Sequence, residues 1–219
     1  MEYRQLGKSG VKVSAIGLGT NRFGSDVVSQ QDVNNMIDAA LDLGINFIDT
    51  ADVYTGGQSE TTLGVALKGR WQKVVLATKV FHPMGEGPND RGSSRYHIQN
   101  GVEASLARLQ SDHIDLYYLH RWDDSTPIEE SLRALDDLVR SGKVRYVGAS
   151  NYASWQLAKA NLLAEFRGLT AFSALQSHYH LLERGVEKEI LPYCAAHGVG
   201  FVPYFPLAGG FLTGKYRRG

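Results

Sequence analysis

At 219 residues, 43% apolar and 21% charged, the chain can bury a sizeable core, and it reads as one domain over residues 1–219 because barrels commonly pass ~200 residues as a single unit. Its 23 basic and 23 acidic residues cancel to a formal net charge of zero, which argues against nucleic acid or a membrane surface as a partner. The opening MEYRQLGKSG has no apolar leader core, no run approaches the ~18 apolar residues of a membrane span, and the lone Cys194 cannot close an internal disulfide, so a reduced, cytoplasmic setting is expected.

In chain order, Tyr3 to Leu6 and Val11 to Ser14 flank Gly7-Lys8-Ser9-Gly10 and predict a β-hairpin, followed by a glycine-punctuated apolar strand from Ala15 to Thr20. A helix capped by Ser29 then presents Val33, Met36, Ile37, Ala40 and Leu41, with Gly44 just past its end. Ile45 to Ala51 is the next strand, and Ser59-Glu60 starts a helix carrying Leu63, Ala66 and Leu67. Lys73 to Val80 is a third strand, followed by a long polar loop and a helix with Ile98, Val102, Leu106 and Leu109 on one face. Ile114 to His120 is a fourth strand. Thr126-Pro127-Ile128-Glu129 then predicts a capping box with proline at the first helical position, on a helix buried through Ile128, Leu132, Leu135, Leu138 and Val139.

Val144 to Ser150 is a fifth strand backed by a helix from Ser154 to Glu165; Phe172 to Ser177 is a sixth, backed by a helix from Gly185 to His197; Val199 to Pro206 is a seventh. Strands alternating with helices mean right-handed βαβ units and a parallel sheet. The expected fold is therefore α/β, a (β/α)8 TIM barrel with an N-terminal β-hairpin, lacking the eighth strand and last helices in this sequence. Left alone, the first and seventh barrel strands would expose unpaired backbone, so the expectation is that residues after Gly219 or another chain complete the wall.

Four polar residues stand at strand exits: Asp49 and Tyr54 after the second barrel strand, Lys79 at the end of the third, His120 at the end of the fourth. In a barrel all four look into one mouth. A phenol with pKa ~10 donates a proton poorly at neutral pH unless its ionised form is stabilised, and a neighbouring ammonium does this. Lys79, held by Asp49, would so activate Tyr54 as a general acid, with His120 bonded to the same substrate oxygen. The natural acceptor of that proton is a carbonyl oxygen receiving hydride, which requires a cofactor.

These residues resemble the aldo-keto reductases, NAD(P)(H)-dependent (β/α)8 oxidoreductases, over essentially the whole chain. GINFIDTADVY, with Asp49 and Tyr54, looks like the first signature of that family; VVLATKV carries Lys79, IDLYYLHRWD carries His120, and KVRYVGASNY looks like the second signature. The hairpin and the loop GPNDRGSS are similar to those of bacterial-type members. The resemblance implies NADP(H) as cofactor, with NAD(H) a second candidate, a small carbonyl or alcohol substrate, and a hairpin that plugs the barrel floor. It further implies that Ser150, Asn151 and Gln176 hold the nicotinamide carboxamide, that Tyr204 stacks on the ring, and that Gly19, Thr20, Asn21, Asp49, Phe205 and Leu207 line the cofactor. Tyr54 is followed by Thr55-Gly56-Gly57 where many members have Tyr-Gly, and the basic segment that grips the 2′-phosphate is absent before Gly219.

Two rival functions stand beside the reductase. One is a cofactor-binding regulatory protein of the potassium-channel β-subunit type, with little turnover. The other is a cofactor-independent barrel hydrolase using Asp49 or Asp52 with Glu60. Gly17-Leu18-Gly19 lacks the third glycine of a dinucleotide fingerprint, Arg22 standing in its place, and His178 and His180 read as rim residues rather than metal ligands. Trp122, Asp123 and Asp124 either border the substrate pocket or lead into the next helix.

Overall fold

The computed structural model describes residues 1–216; the end of the chain at Gly219, on which the expectation of an unfinished wall bears, lies outside the described residues. Strands β1 (Tyr3–Gln5) and β2 (Lys12–Ser14) form the antiparallel hairpin. Seven parallel strands follow in sequential order: β3 (Gly17–Gly19), β4 (Phe47–Asp49), β5 (Val75–Val80), β6 (Ile114–Leu119), β7 (Val144–Ser150), β8 (Ala174–His178) and β9 (Gly200–Tyr204). Between them run α1 (Gln30–Asp42), α2 (Gln58–Ala66), α3 (Arg95–Leu109), α4 (Ile128–Arg140), α5 (Ser154–Arg167) and α6 (Ile190–His197). Among the described residues β3 and β9 do not pair, so the wall is that of a (β/α)8 barrel open on one side.

Strand parity divides the core. Successive side chains point to opposite faces, so along β5 Val75, Ala77 and Lys79 face the barrel interior while Leu76 and Val80 join the large cluster beneath the helices. Phe47, Leu116, Tyr118 and Ala174 fill the interior, and Leu6 and Val13 of the hairpin close it from below. The Lys8 amide donates to the Gly198 carbonyl at 2.7 Å, and a Cβ on Gly7 would lie 2.4 Å from that same oxygen, so only glycine admits the hairpin tip this close. Gly148 plays a similar part opposite Tyr118: a Cβ there would come within 2.5 Å of the ring.

Several expectations are corrected. The predicted capping box at Thr126 does not form, because the Thr126 hydroxyl donates to Asp123 Oδ2 at 2.9 Å, Glu129 is drawn to Arg133, and Pro127 becomes the N-cap rather than the first helical residue. The helix predicted from Gly185 to His197 is split into a 3-10 turn (Gly185–Glu187) and α6. Pro192, third in α6, lacks an amide hydrogen and its ring excludes the preceding turn, so it is tolerated only in a first turn. Met36 is exposed, since Val33, Ile37 and Ala40 occupy the centre of the α1 face. The Ser29 cap does form, as a reciprocal capping box with Asp32.

Candidate active site

The parity that sends Ala77 inward sends Lys79 inward two residues later, at the rim, where it is fully buried. Its Nζ donates to Asp49 Oδ2 at 2.6 Å, to the Thr50 carbonyl at 2.8 Å and to Tyr54 Oη at 3.3 Å. Burial is the largest single influence on this amine and lowers its pKa, yet the Asp49 carboxylate, Tyr54 and the hydrogen bonds to both together hold it above the ordinary lysine value. Lys79 is therefore a buried ammonium whose charge is turned toward a carboxylate and a phenol. It also lies 4.9 Å from the centroid of the Tyr54 ring.

Tyr54 enters from the turn after β4. Thr55, Gly56 and Gly57 all take positive φ, at 49°, 63° and 90°. For the β-branched Thr55 this conformation is unfavourable, and its hydroxyl lies 2.6 Å from the Phe23 carbonyl, tying the turn to the loop after β3. The departure from Tyr-Gly noted in the sequence is thus accommodated by a left-handed run with a polar anchor.

His120, one residue past β6, meets the Tyr54 ring at a centroid distance of 6.1 Å and the His82 ring at 4.7 Å, both edge to face. Burial first, and then the neighbouring Lys79, His82 and Arg121, lowers the His120 pKa to about 2, so its imidazole is neutral. Its Nδ1 is buried without a partner. A neutral ring at this place is a hydrogen-bonding group, not a proton source.

The β7 and β8 exits supply the amides. Ser150 registers with Gln176 across the sheet. Gln176 Nε2 donates to Asp49 Oδ1 at 2.8 Å, joining residues 127 positions apart in sequence. Asn151 Nδ2 reaches Ser150 Oγ at 3.0 Å and the His120 carbonyl at 3.2 Å, while Tyr204 Oη donates to Asn151 Oδ1 at 2.9 Å. The Tyr204 ring lies parallel to His178, 6° between planes, at 5.2 Å.

Asn151, Gln176 and Tyr204 line a cavity of about 810 Å³, together with Gly19, Thr20, Asn21, Asp49, Tyr54, His82, His120, Arg121, Ser150 and Phe205. Two convergent side-chain amides, a flat phenol and a glycine whose Cβ position is open space suit a planar carboxamide-bearing ring, so the residues fit a nicotinamide cofactor. Not every named residue presents itself to the cavity. Lys79 lies beneath its lining, and Leu207, half exposed, lies outside it; Thr20 borders the cavity with its hydroxyl turned to the Asp49 carbonyl and Ser59 Oγ, both at 2.9 Å.

Asp52 and Glu60 are sealed away from this cavity, contrary to what a hydrolase using them would require. Glu60 is fully buried behind the barrel wall, accepting from Thr78 Oγ1 at 2.5 Å and Arg108 Nε at 2.7 Å. Trp122, Asp123 and Asp124 likewise lead into α4: Trp122 packs on Tyr152 and Trp155, and Asp123 accepts from Ser93, Ser125 and Thr126. Sequence reasoning missed His82 and Arg121 in the lining. Both stand one or two positions beyond a strand end, the signal that singled out His120.

The family model described as the Aldo/keto reductase family matches residues 15–219. The uncharacterized oxidoreductase YrpG of Bacillus subtilis is 45% identical over 227 residues, covering 98% of this chain and 69% of that protein. A probable voltage-gated potassium channel subunit beta of Arabidopsis thaliana is 39% identical, covering 100% of this chain and 68% of its own length. The versiconal hemiacetal acetate reductase of Aspergillus parasiticus is 38% identical, covering 97% and 69% respectively. With an open barrel wall, the polar cluster at its rim and matches of this extent, the chain belongs to the aldo/keto reductase family.

Proposed function

We propose that this oxidoreductase reduces aldehydes and ketones to alcohols, with Tyr54 as general acid, Lys79 and Asp49 as its activating pair, and His120 orienting the carbonyl. The observation that carries the reading is the fully buried Lys79 ammonium bridging Asp49 at 2.6 Å and Tyr54 at 3.3 Å. The cofactor these residues would hold, NADP(H) in preference to NAD(H), would contribute hydride chemistry at the carbonyl carbon. The phenol gives its proton to the carbonyl oxygen as negative charge develops there, and the ammonium stabilises the phenolate left behind. Neutral His120 hydrogen-bonds the same oxygen without competing as an acid. Ser150, Asn151, Gln176 and Tyr204 are assigned to holding the nicotinamide, with Gly19, Thr20, Asn21 and Phe205 along the cofactor. The same proposal takes residues 1–219 as one catalytic domain working in the cytoplasm; no helix among the described residues is long and apolar enough to cross a membrane.

The test is loss of nicotinamide absorbance over a panel of aldehydes. Tyr54→Phe is expected to lower turnover by about 10²–10⁴-fold while NADPH still binds; turnover matching the unaltered chain would remove Tyr54 from the mechanism. The similarity to a channel β subunit favours a second reading, cofactor binding with a regulatory output. NADPH binding with no measurable reduction of any aldehyde would select it.

A further inference from the structure

Among the described residues three charged ones line the cavity: Arg4, Asp49 and Arg121. Arg4 sits on the hairpin and pairs with Glu2 at 2.8 Å. Asp49 is neutralised by Lys79 at 2.6 Å and further engaged by Gln176 at 2.8 Å. Arg121, which follows His120 directly, is different. It is exposed to the cavity, and among the described residues no carboxylate lies within 4.0 Å of it and it donates no hydrogen bond. The acids next to it in sequence face elsewhere, Asp123 toward Ser93, Ser125 and Thr126, and Asp124 toward the Trp122 indole. The groups on its cavity side that feel its charge are His82, His120 and Tyr204. Burial first lowers the pKa of both histidine rings, with Arg121 the second cause for His82 and, after Lys79 and His82, the last for His120.

We propose that Arg121 is an anion-recognition residue of the substrate site, and that the preferred carbonyl substrates carry a carboxylate on the end remote from the reacting carbonyl. This rests on the reductase reading above. A guanidinium offers a planar fork of donors matched to a carboxylate, and a cation beside a site of neutral rings attracts the substrate end that the rings do not engage. A cofactor phosphate is the other source of the same chemistry. Arg121 follows directly on His120, the residue assigned to the carbonyl, and this adjacency favours the substrate although its charge also reaches Tyr204.

The discriminating measurement compares 4-carboxybenzaldehyde with benzaldehyde at saturating NADPH, in the unaltered chain, Arg121→Gln and Arg121→Lys. The expected result is a preference in kcat/KM of about tenfold for the carboxylated aldehyde, expressed in KM, weakened by salt, lost in Arg121→Gln and partly kept in Arg121→Lys. A preference near one in the unaltered chain overturns the proposal. So does an equal loss for both aldehydes in Arg121→Gln, or weaker NADPH binding with the preference intact, which would assign the guanidinium to a cofactor phosphate. Calorimetric titration with 4-(hydroxymethyl)benzoate and with benzyl alcohol reads the subsite without turnover. If no aldehyde is reduced the reductase reading fails, and the anion site stands only if the benzoate binds more tightly to the unaltered chain but not to Arg121→Gln; equal binding removes it.

Discussion

Asp49 and Asp52 are three residues apart, yet they meet opposite environments on the two sides of the barrel wall. Asp49 follows the inward parity of β4 into the mouth, where an ammonium, an amide and a phenol surround it. Asp52 lies in the turn beyond, nearly fully buried, and among the described residues neither carboxyl oxygen has a hydrogen-bond partner at good geometry, the Val53 amide being the nearest influence. Burial first, and the nearby Glu60 second, raises its pKa to about 7, against weaker lowering by the Val53 amide, Arg108 and Lys79. The difference teaches that residue type does not assign a carboxylate its chemistry. The side of a strand on which it emerges decides whether it meets a cation, as Asp49 meets Lys79, or is held as an acid by burial, as Asp52 is.

The largest effect is expected on the mouth side. Lys79→Met leaves Asp49 without its cation and, on the proposed mechanism, Tyr54 without its activating charge, so turnover should fall by about 10²–10⁴-fold, with a loss of stability of order 3 kcal/mol for a broken, largely buried pair. Steady-state kinetics and denaturant unfolding check both parts, and a variant that keeps normal turnover would erase the functional contrast between the two aspartates.

Behind the wall the signature is pH dependence. The Asp52 carboxyl holds its proton in the folded chain up to about pH 7 but in the unfolded chain only to its ordinary value near 4. Between those limits the native state binds the extra proton, so this group makes stability fall as pH rises, by up to a few kcal/mol, with its stabilising effect complete below about pH 4. Asp52→Asn should remove that share and flatten the stability curve across the window. Parallel curves for the two proteins would mean that Asp52 does not titrate there.

A smaller loss is expected at the neighbouring ion pair. Glu60→Gln leaves Arg108 beside a neutral partner and should cost about 1–3 kcal/mol in unfolding free energy, and more at low salt than at high salt if the Coulomb attraction is the greater part of it. An unchanged midpoint would show that the Thr78 hydroxyl and helix packing suffice. The smallest effect belongs to Leu207, placed outside the cavity lining. Leu207→Ala should leave NADPH affinity within about twofold, since scattered surface apolar groups contribute little; a larger loss would bring it back among the cofactor contacts.

Much of the fold was legible because hydrophobic periodicity is local. VVLATKV and IDLYYLH announce strands through their apolar runs, and the α3 and α4 faces through their spacing, so seven parallel strands in order and the positions of Asp49, Tyr54, Lys79 and His120 at their exits were predicted as the structure has them. Boundaries were less legible. The strand predicted from Ile45 to Ala51 is regular only over Phe47–Asp49, although its backbone bonds to β5 run on from the Asn46 carbonyl to the Asp52 amide. Thr126 looked like a cap until Asp123, three residues earlier, took its hydroxyl.

By itself, then, the sequence determined which segments are strands and helices and which polar residues leave the strands on the inward side, since alternation and helical period depend only on near neighbours. Tertiary structure alone decided how those residues are paired: Gln176 on Asp49, Glu60 between Thr78 and Arg108, Asp52 without a partner, Arg121 facing the cavity without an acid. The physical reason is that charge and hydrogen-bond partnership depend on distance through space and on access to water, and closing a sheet into a barrel brings together groups that the chain keeps far apart.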